Sequence, residues 1–364
     1  MRILHVAAGN LFGGVERILV ELAGAKGGAR HEFALAFEGR LSRELDAAGA
    51  TRHVIGEARF SRPLSIWRTR RRLGAVAEPA TFDAIVCHSP WAYALAAPAL
   101  PAREPVLWAH DALQGGHWTE RFVAARPPRL VICNSRYTDA AVGAWLTEPA
   151  REVVYAPVAA PGQVAPRAQV RAALGAGDDE VVIVIASRLE RWKGHVALLR
   201  AAARLEGNWV IWIAGGAQRP HEREFETELK VAAAASGITP RVHFLGERTD
   251  VPDLLAAADI HCQPNTAPEP FGIAFVEALH AALPVVTSDA GGAREIVTPE
   301  CGVLVPAGNV GALRETLADL IRDAERRTRL GAAGPARARE LCDSLRQVAR
   351  LETALLTSVH GVAA

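Results

Sequence analysis

Glu269-Pro-Phe-Gly-Ile-Ala-Phe-Val-Glu277 places two carboxylates eight positions apart, with Pro-Phe-Gly directly after the first. A strand-like run, Asp259-Ile-His-Cys-Gln263, precedes it. A helix-like run from Ile273 to Ala282 follows and stops at Leu283-Pro284. Glu269 therefore belongs to a loop at the C-terminal end of a strand, and Glu277 to the next helix. Free backbone N–H groups and the positive end of the dipole make helix N-termini in α/β folds anion sites. A carboxylate on either side of such a terminus suits a ligand that bears both phosphates and hydroxyls, as nucleotide sugars do. Two glutamates eight apart also occur in ordinary helices, so the surrounding segments decide.

Upstream, Val181-Val-Ile-Val-Ile-Ala-Ser187 is continuous and β-branched, the pattern of a strand buried on both faces. It leads into Arg188-Leu-Glu-Arg-Trp-Lys193-Gly194 and a helical run from His195 to Leu205. Arg188 and Lys193 thus sit in a strand-to-helix loop. A cation at a helix start opposes the dipole unless it meets an anion. The planar fork of Arg and the point charge of Lys together suit a diphosphate, although either alone reads as a surface cation.

Ser187-Arg188 with Lys193-Gly194, followed by Glu269-Pro-Phe-Gly-x4-Glu277, resembles the C-terminal half of the family four retaining glycosyltransferases. The resemblance extends over nearly the whole chain. It implies an α/β protein of the GT-B fold, with two Rossmann-like domains facing each other across a cleft. The second would hold a nucleotide-sugar donor and the first most of the acceptor.

Length and composition agree with two domains. The chain has 364 residues, too many for one core, and half are apolar. A net charge of +1 gives no global attraction to nucleic acid, so none is expected as a partner. The five cysteines are scattered, odd in number and without CxxC spacing, which points to buried thiols in a reducing compartment. No stretch approaches the roughly 18 uninterrupted apolar residues of a membrane span. Met1-Arg-Ile-Leu-His-Val enters a strand at once, without a signal-peptide cleavage pattern. A cytoplasmic protein is the expectation.

Strand and helix alternate throughout, which argues for parallel sheets. In the first half, strands are expected at Arg2–Ala7, His31–Phe37, Ala84–His88, Val106–His110 and Leu130–Asn134, with a helix over Val15–Ala25. In the second half they are expected near 181–187, 208–214, 241–245, 259–263, 284–288 and 302–305. Ala156-Pro-Val-Ala-Ala-Pro-Gly-Gln-Val-Ala-Pro166 breaks the pattern and reads as a linker. The expected domains are therefore 1–158 and 167–339. The resemblance implies that a C-terminal helix, near Glu340–Leu356 within about 340–364, returns to the first domain.

The first strand ends in Ala7-Ala-Gly-Asn-Leu-Phe-Gly13-Gly14-Val-Glu-Arg17, a Gly-rich turn without the G-x-G-x-x-G dinucleotide spacing. It serves equally as a bare tight turn; the resemblance implies that Gly13 and Gly14 approach the donor diphosphate and the acceptor. Val106-Leu-Trp-Ala-His110-Asp111 ends a strand in histidine, at the edge where α/β sites cluster. The resemblance implies that His110 faces the transferred sugar. Asp111 and Trp118, in and beside Gln114-Gly-Gly-His-Trp118, fall on the acceptor side. Family members often carry Asn-Gly before the linker; here Tyr155-Ala-Pro157-Val158 stands there and leaves that contact in doubt. Asp-x-Asp, H-E-x-x-H, G-x-S-x-G and G-x4-G-K-[ST] are all missing, so neither a metal nor a cofactor is expected.

The expected activity is metal-independent, retaining transfer of a hexose-type sugar. The donor is a UDP- or GDP-sugar, and the acceptor a hydroxyl of a glycan, lipid-linked or small molecule. Arg188, Lys193, Gly14 and the helix start at Gly272-Ile273 would hold the diphosphate and Glu277 the ribose. Glu269 and Phe271 would meet the sugar, and His110 and Glu269 would serve catalysis. A GT-B sugar-nucleotide epimerase, which needs carboxylates in both domains, and a non-catalytic sugar-nucleotide-binding protein are the alternatives. A nicotinamide dehydrogenase would need the missing glycine fingerprint. Arg62-Pro-Leu-Ser-Ile66-Trp67-Arg68-Thr-Arg70-Arg71-Arg72-Leu73 reads as an ordinary solvated helix face or as a basic helix at an anionic membrane. In the second case Arg68, Arg70, Arg71 and Arg72 would hold the protein peripherally at the inner face.

Overall fold

The computed structural model describes residues 1–25, 27–78, 81–100 and 104–360. The chain divides into two compact units, Met1–Ala159 with the chain from Cys342 onward, and Ala160–Leu341. The described strands of the first unit are β1 (Arg2–Ala7), β2 (Arg30–Leu35), β3 (Thr51–Val54), β4 (Ala84–Cys87), β5 (Val106–Ala109), β6 (Leu130–Cys133) and β7 (Ala150–Val153). They form one parallel sheet in the order β3-β2-β1-β4-β5-β6-β7. The second unit contains β8 (Val181–Ala186), β9 (Trp209–Ala214), β10 (Val242–Gly246), β11 (Ile260–Gln263), β12 (Val285–Ser288) and β13 (Gly302–Val305). These are also parallel, in the order β10-β9-β8-β11-β12-β13.

Central strands lie between helices on both faces, so both parities must be apolar. Val-Leu-Trp-Ala in β5, Leu-Val-Ile-Cys in β6 and Trp-Val-Ile-Trp-Ile-Ala in β9 are buried at every position. The edge strands β3 (Thr-Arg-His-Val) and β7 (Ala-Arg-Glu-Val) are not. Neither is anticipated by the apolar pattern, because an edge strand needs only one ladder and leaves half its surface to water. Their arginines pair locally, Arg52 with Asp46 at 2.6 Å and Arg151 with Asp139 at 2.9 Å.

In each sheet the chain first builds outward one way and then crosses to the other side of its first strand. That reversal opens a switch point, where α/β proteins bind ligands beyond the strand C-termini. It falls between β1 and β4 in the first unit and between β8 and β11 in the second.

The helix after β11 runs Ile273–His280, shorter than expected. Leu283 N–H donates to Ala278 O and Ala282 N–H to Leu279 O, both at 3.0 Å, with Ala282 left-handed at φ 56°. This closes the helix two residues before Pro284, which disfavours helical backbone at Leu283. The helix after β8 likewise ends early, at Ala202. The last helix is Ser344–His360, because Ala324–Cys342 is one continuous helix that passes through Glu340. Ser344 Oγ donates to Glu21 Oε1 at 2.6 Å, and Glu352 Oε1 accepts from Ala29 N–H at 3.0 Å. Among the described residues no helix is long and apolar enough to cross a membrane. None of their acidic, histidine and cysteine side chains gather into a group that could hold a metal ion.

Candidate functional site

The switch point of the second sheet gathers three loops. The loop after β8 carries Ser187, Arg188 and a short 3-10 turn, Arg191–Lys193, and ends at Gly194 in the left-handed region at φ 84°. A Cβ on Gly194 would stand 2.0 Å from Pro264 O, so only glycine lets this loop lie against the loop after β11. Thr266 N–H donates to Trp192 O at 2.8 Å and ties the two together. The third loop, Asp289-Ala-Gly-Gly292, lies under Glu269-Pro-Phe-Gly272. Gly292 N–H donates to Glu269 O at 2.7 Å, and a Cβ on Gly291 would stand 2.3 Å from that same oxygen.

This framework brings Lys193 and Glu269 into an ion pair, Nζ to Oε2 at 2.8 Å. The same Oε2 accepts from Asn265 Nδ2 at 2.7 Å and from Gln263 Nε2 at 3.2 Å. Thr287 Oγ1 donates to Gln263 O at 2.8 Å and braces the strand end. Three donors on one oxygen make Glu269 a poor nucleophile, while Oε1 has no partner among the described residues and stays an acceptor. Lys193 Nζ also lies 3.9 Å over the Trp192 ring and keeps N–H donors beyond the one given to Glu269. Gln263 and Asn265 were not singled out in the sequence. Their signal, polar amides where an apolar strand ends, is legible only once Glu269 is known to turn back on them.

Arg188 lies on the same loop but pairs with Glu190 at 2.7 Å; among the described residues no bond joins it to Lys193 or Glu269. Gly272 caps the helix Ile273–His280 in a left-handed conformation, φ 110°, and Ile273 opens it. Glu277 lies half-buried one turn further on. Phe271 departs from expectation. It is 2% exposed, a buried side chain and not one open at the surface of the loop. His195, at the start of the helix after Gly194, is held neutral; burial and then Lys193 push its pKa down to about 4.

In the first unit, Gly13 caps the helix Gly14–Gly24, its N–H donating to Glu16 Oε2 at 2.9 Å, and Gly14 is exposed. His110 stands just past β5 and is 8% exposed. Its carbonyl accepts from Asn134 Nδ2 at 2.9 Å and its Nε2 meets His88 Nδ1 at 3.0 Å. Burial lowers its pKa to about 3, so at neutral pH it offers neither positive charge nor an acidic proton. Asp111 is exposed. Trp118 is 41% exposed, with its ring edge-on to Phe60 at 4.7 Å.

The arginine-rich segment forms the helix Pro63–Val76, with Ile66, Thr69 and Leu73 buried. Arg70 shares that inner side with Ile66 and Leu73, as the i, i+4, i+7 spacing places it, and so does not turn to a membrane with the other three. Its guanidinium donates to Ala94 O at 3.0 Å and Leu95 O at 3.3 Å, filling carbonyls at the end of the helix Pro90–Ala96. Arg68, Arg71 and Arg72 remain exposed, beside Leu64 at 71% and Trp67 at 58%.

Residues 166–337 match the family model for glycosyl transferases group 1. Over 179 residues the chain is 35% identical to the GDP-mannose-dependent monoacylated alpha-(1-6)-phosphatidylinositol monomannoside mannosyltransferase of Corynebacterium glutamicum, covering 46% of this chain and 44% of that one. Over 133 residues it is 35% identical to the lipopolysaccharide core biosynthesis mannosyltransferase LpsB of Rhizobium meliloti, covering 36% and 37%. The chain thus spans less than half the length of these two curated relatives. Among solved structures, HepE of Anabaena in complex with UDP and glucose superposes with a TM-score of 0.89 at 27% identity, over 98% of this chain and 100% of that one. WaaG, a glycosyltransferase involved in lipopolysaccharide biosynthesis, shares the fold, with a TM-score of 0.71 at 18% identity over 99% and 100%. The fold is GT-B.

Proposed function

We propose, from the match of residues 166–337 to the glycosyl transferases group 1 model, that this protein is a retaining, metal-independent hexosyltransferase. It takes a nucleoside-diphosphate sugar as donor and a hydroxyl of a glycan, lipid-linked or small-molecule acceptor. The observation that carries this reading is the Lys193–Glu269 pair, set with Gln263 and Asn265 at the switch point of the second sheet. A sugar diphosphate brings anionic oxygens and hydroxyls to one place, and the pair supplies a cation for the first and a carboxylate for the second.

Arg188, the spare N–H groups of Lys193 and the helix start at Gly272-Ile273 stabilise the diphosphate as charge grows on it. Glu277 takes the ribose hydroxyls, and Glu269 holds the sugar through its open Oε1. The acceptor belongs to the first unit, with Gly13, Gly14, Asp111 and Trp118, and His110 accepts from a substrate hydroxyl. The bond from C1 to the diphosphate oxygen breaks and the acceptor oxygen bonds C1 on the same face. The acceptor's proton passes to the leaving phosphate. With three donors already on its Oε2, Glu269 is not assigned as a covalent nucleophile. The Corynebacterium relative is named as GDP-mannose-dependent and the HepE structure holds UDP, so either base suits the proposal. Arg68, Arg71 and Arg72, with Leu64 and Trp67, suit an anionic lipid surface at the inner face of the membrane.

The test is transfer from UDP-glucose and GDP-mannose to an acceptor panel in EDTA, with the anomer of the product read by NMR. Retained configuration with undiminished rate is expected. An inverted product, activity that requires magnesium or manganese, or epimerised donor without transfer would each overturn the proposal.

A further inference from the structure

Four histidines cross the first sheet in an unbroken hydrogen-bonded file. His31 Nδ1 lies 2.8 Å from His5 Nε2, His5 Nδ1 lies 2.9 Å from His88 Nε2, and His88 Nδ1 lies 3.0 Å from His110 Nε2. All four are buried, with exposures between 0% and 8%. They occupy β2, β1 and the ends of β4 and β5, which are consecutive neighbours in the sheet. The register makes the file diagonal. His31 stands opposite Ile3, two residues before His5; His5 stands opposite Val86, two before His88. Cys87 stands opposite Leu107, which sets His88 level with Trp108, two before His110. Each step of two keeps the rings on one face and carries the file toward the C-terminal edge, with neighbouring ring centroids 5.1–5.2 Å apart.

A neutral imidazole has one N–H and one lone pair, so each of the three contacts holds one shared proton. Burial keeps the rings neutral: it lowers the pKa of His5, His88 and His110, and of His31 despite the opposing pull of Glu352. Two arrangements then remain, with every N–H aimed toward His31 or every N–H aimed toward His110. The two ends of the file break this symmetry. At one end His31 Nε2 is buried without a hydrogen-bond partner among the described residues but lies 3.6 Å from the charged Glu352 Oε1, which itself accepts from Ala29 N–H. A carboxylate attracts an N–H there and repels a lone pair. At the other end His110 Nδ1 is buried and meets no partner among the described residues.

We propose that Glu352, a positioning residue on the last helix, sets the tautomer of His110 through His31, His5 and His88, so that His110 Nδ1 is held as a bare hydrogen-bond acceptor. In this arrangement all four rings carry their proton on Nε2. His110 then accepts from a substrate hydroxyl and cannot donate to a phosphate or a sugar ring oxygen. That last step rests on the transferase reading; the control of the tautomer by Glu352 does not.

The test is a long-range proton–nitrogen correlation spectrum of the full chain carrying nitrogen-15 histidine, with the four rings assigned by single His→Gln variants. The wild-type protein should show the Nε2–H tautomer at His31, His5, His88 and His110. Glu352→Ala should shift His110 toward a mixture and lower kcat/KM about tenfold, the worth of one neutral hydrogen bond. Glu352→Gln keeps an oxygen facing His31 and should restore both. An Nδ1–H tautomer at His110 in the wild-type protein overturns the proposal, even if every variant at 352 fails to fold. So does a folded Glu352→Ala protein with the tautomers unchanged. The expected spectra together with no transfer on any donor would refute the substrate hydroxyl and leave the control by Glu352 standing.

Discussion

Glu269→Gln separates the two jobs of the Lys193–Glu269 pair. Glutamine keeps the shape of the side chain and can still accept from Asn265, but it removes the charge that balances Lys193. The side chains are only 8% and 15% exposed, so the stranded ammonium is poorly solvated. Removing one partner of a buried pair costs about 3–5 kcal/mol. Lys193 keeps some water contact and lies over Trp192, which points to the lower end, about 3 kcal/mol. For a unit of this size that lowers the melting temperature by roughly 6–12 °C, at about 2–4 °C per kcal/mol. The affinity for free UDP or GDP should hold or rise, because Lys193 no longer has a competing anion. At 100 times Kd the nucleotide then returns about 2.7 kcal/mol of stability. Turnover should still fall about 100-fold, since the acceptor for the sugar is lost. Differential scanning calorimetry with and without nucleotide, together with titration calorimetry, reads all three quantities. A melting temperature within 2 °C of wild type would refute a buried pair. A tenfold loss of nucleotide affinity would refute the division of roles.

Arg188→Ala should lower kcat by about 100- to 1000-fold with little change in stability, because its partner Glu190 lies in the same loop; near-wild-type turnover would remove Arg188 from the diphosphate site. Glu277→Gln should weaken free nucleoside diphosphate binding, which titration calorimetry measures; unchanged affinity would refute the ribose contact. Acid should unfold the first unit before the second. Burial holds His5, His88 and His110 in the first, and His195 and His261 in the second, below their ordinary value of 6.5. The unfolded chain therefore binds more protons below pH 6.5, and stability present above that pH drains as pH falls, by about 1.4 kcal/mol per histidine per pH unit. Hydrogen exchange across pH 7 to 4 reads the order, and simultaneous loss would contradict it. Replacing Arg68, Arg71 and Arg72 by Glu should abolish salt-sensitive binding to anionic vesicles, each cation being worth about 1 kcal/mol, whereas Arg70→Ala should lower stability. Co-sedimentation at low salt decides, and absence of wild-type binding would leave the helix a solvated face.

The apolar runs of the central strands are legible because a strand covered on both faces has no polar side, and Val181–Ala186 shows it residue by residue. β3 and β7 are illegible for the converse reason: an edge strand tolerates arginine and glutamate and looks like loop. The end expected for the helix after β11 takes in Ala282, whose left-handed backbone closes the helix and has no signature in an alanine. In the basic helix the i, i+4, i+7 spacing sets Arg70 beside Ile66 and Leu73 but does not say what it bonds there. The helix's buried side, Ile66, Thr69 and Leu73, includes a charged neighbour, Arg70, only because the end of another helix offers it carbonyls.

By itself the sequence determined which segments are the central strands, that they pair in parallel, which loops carry Arg188, Lys193 and Glu269, and which helix carries Glu277. These follow from local patterns of burial and from residue types that punctuate them. Only the tertiary structure decided that Lys193 and Glu269 touch, 76 residues apart in the chain. That contact depends on two backbones passing at Gly194 and Pro264, closer than any side chain would allow. Likewise His5, His31 and His88 do not stand out in the sequence, and His110 stands out only by its place at a strand end. They become a file because the register of four parallel strands offsets each histidine from the next by two residues, and register is set by how whole sheets bury their faces.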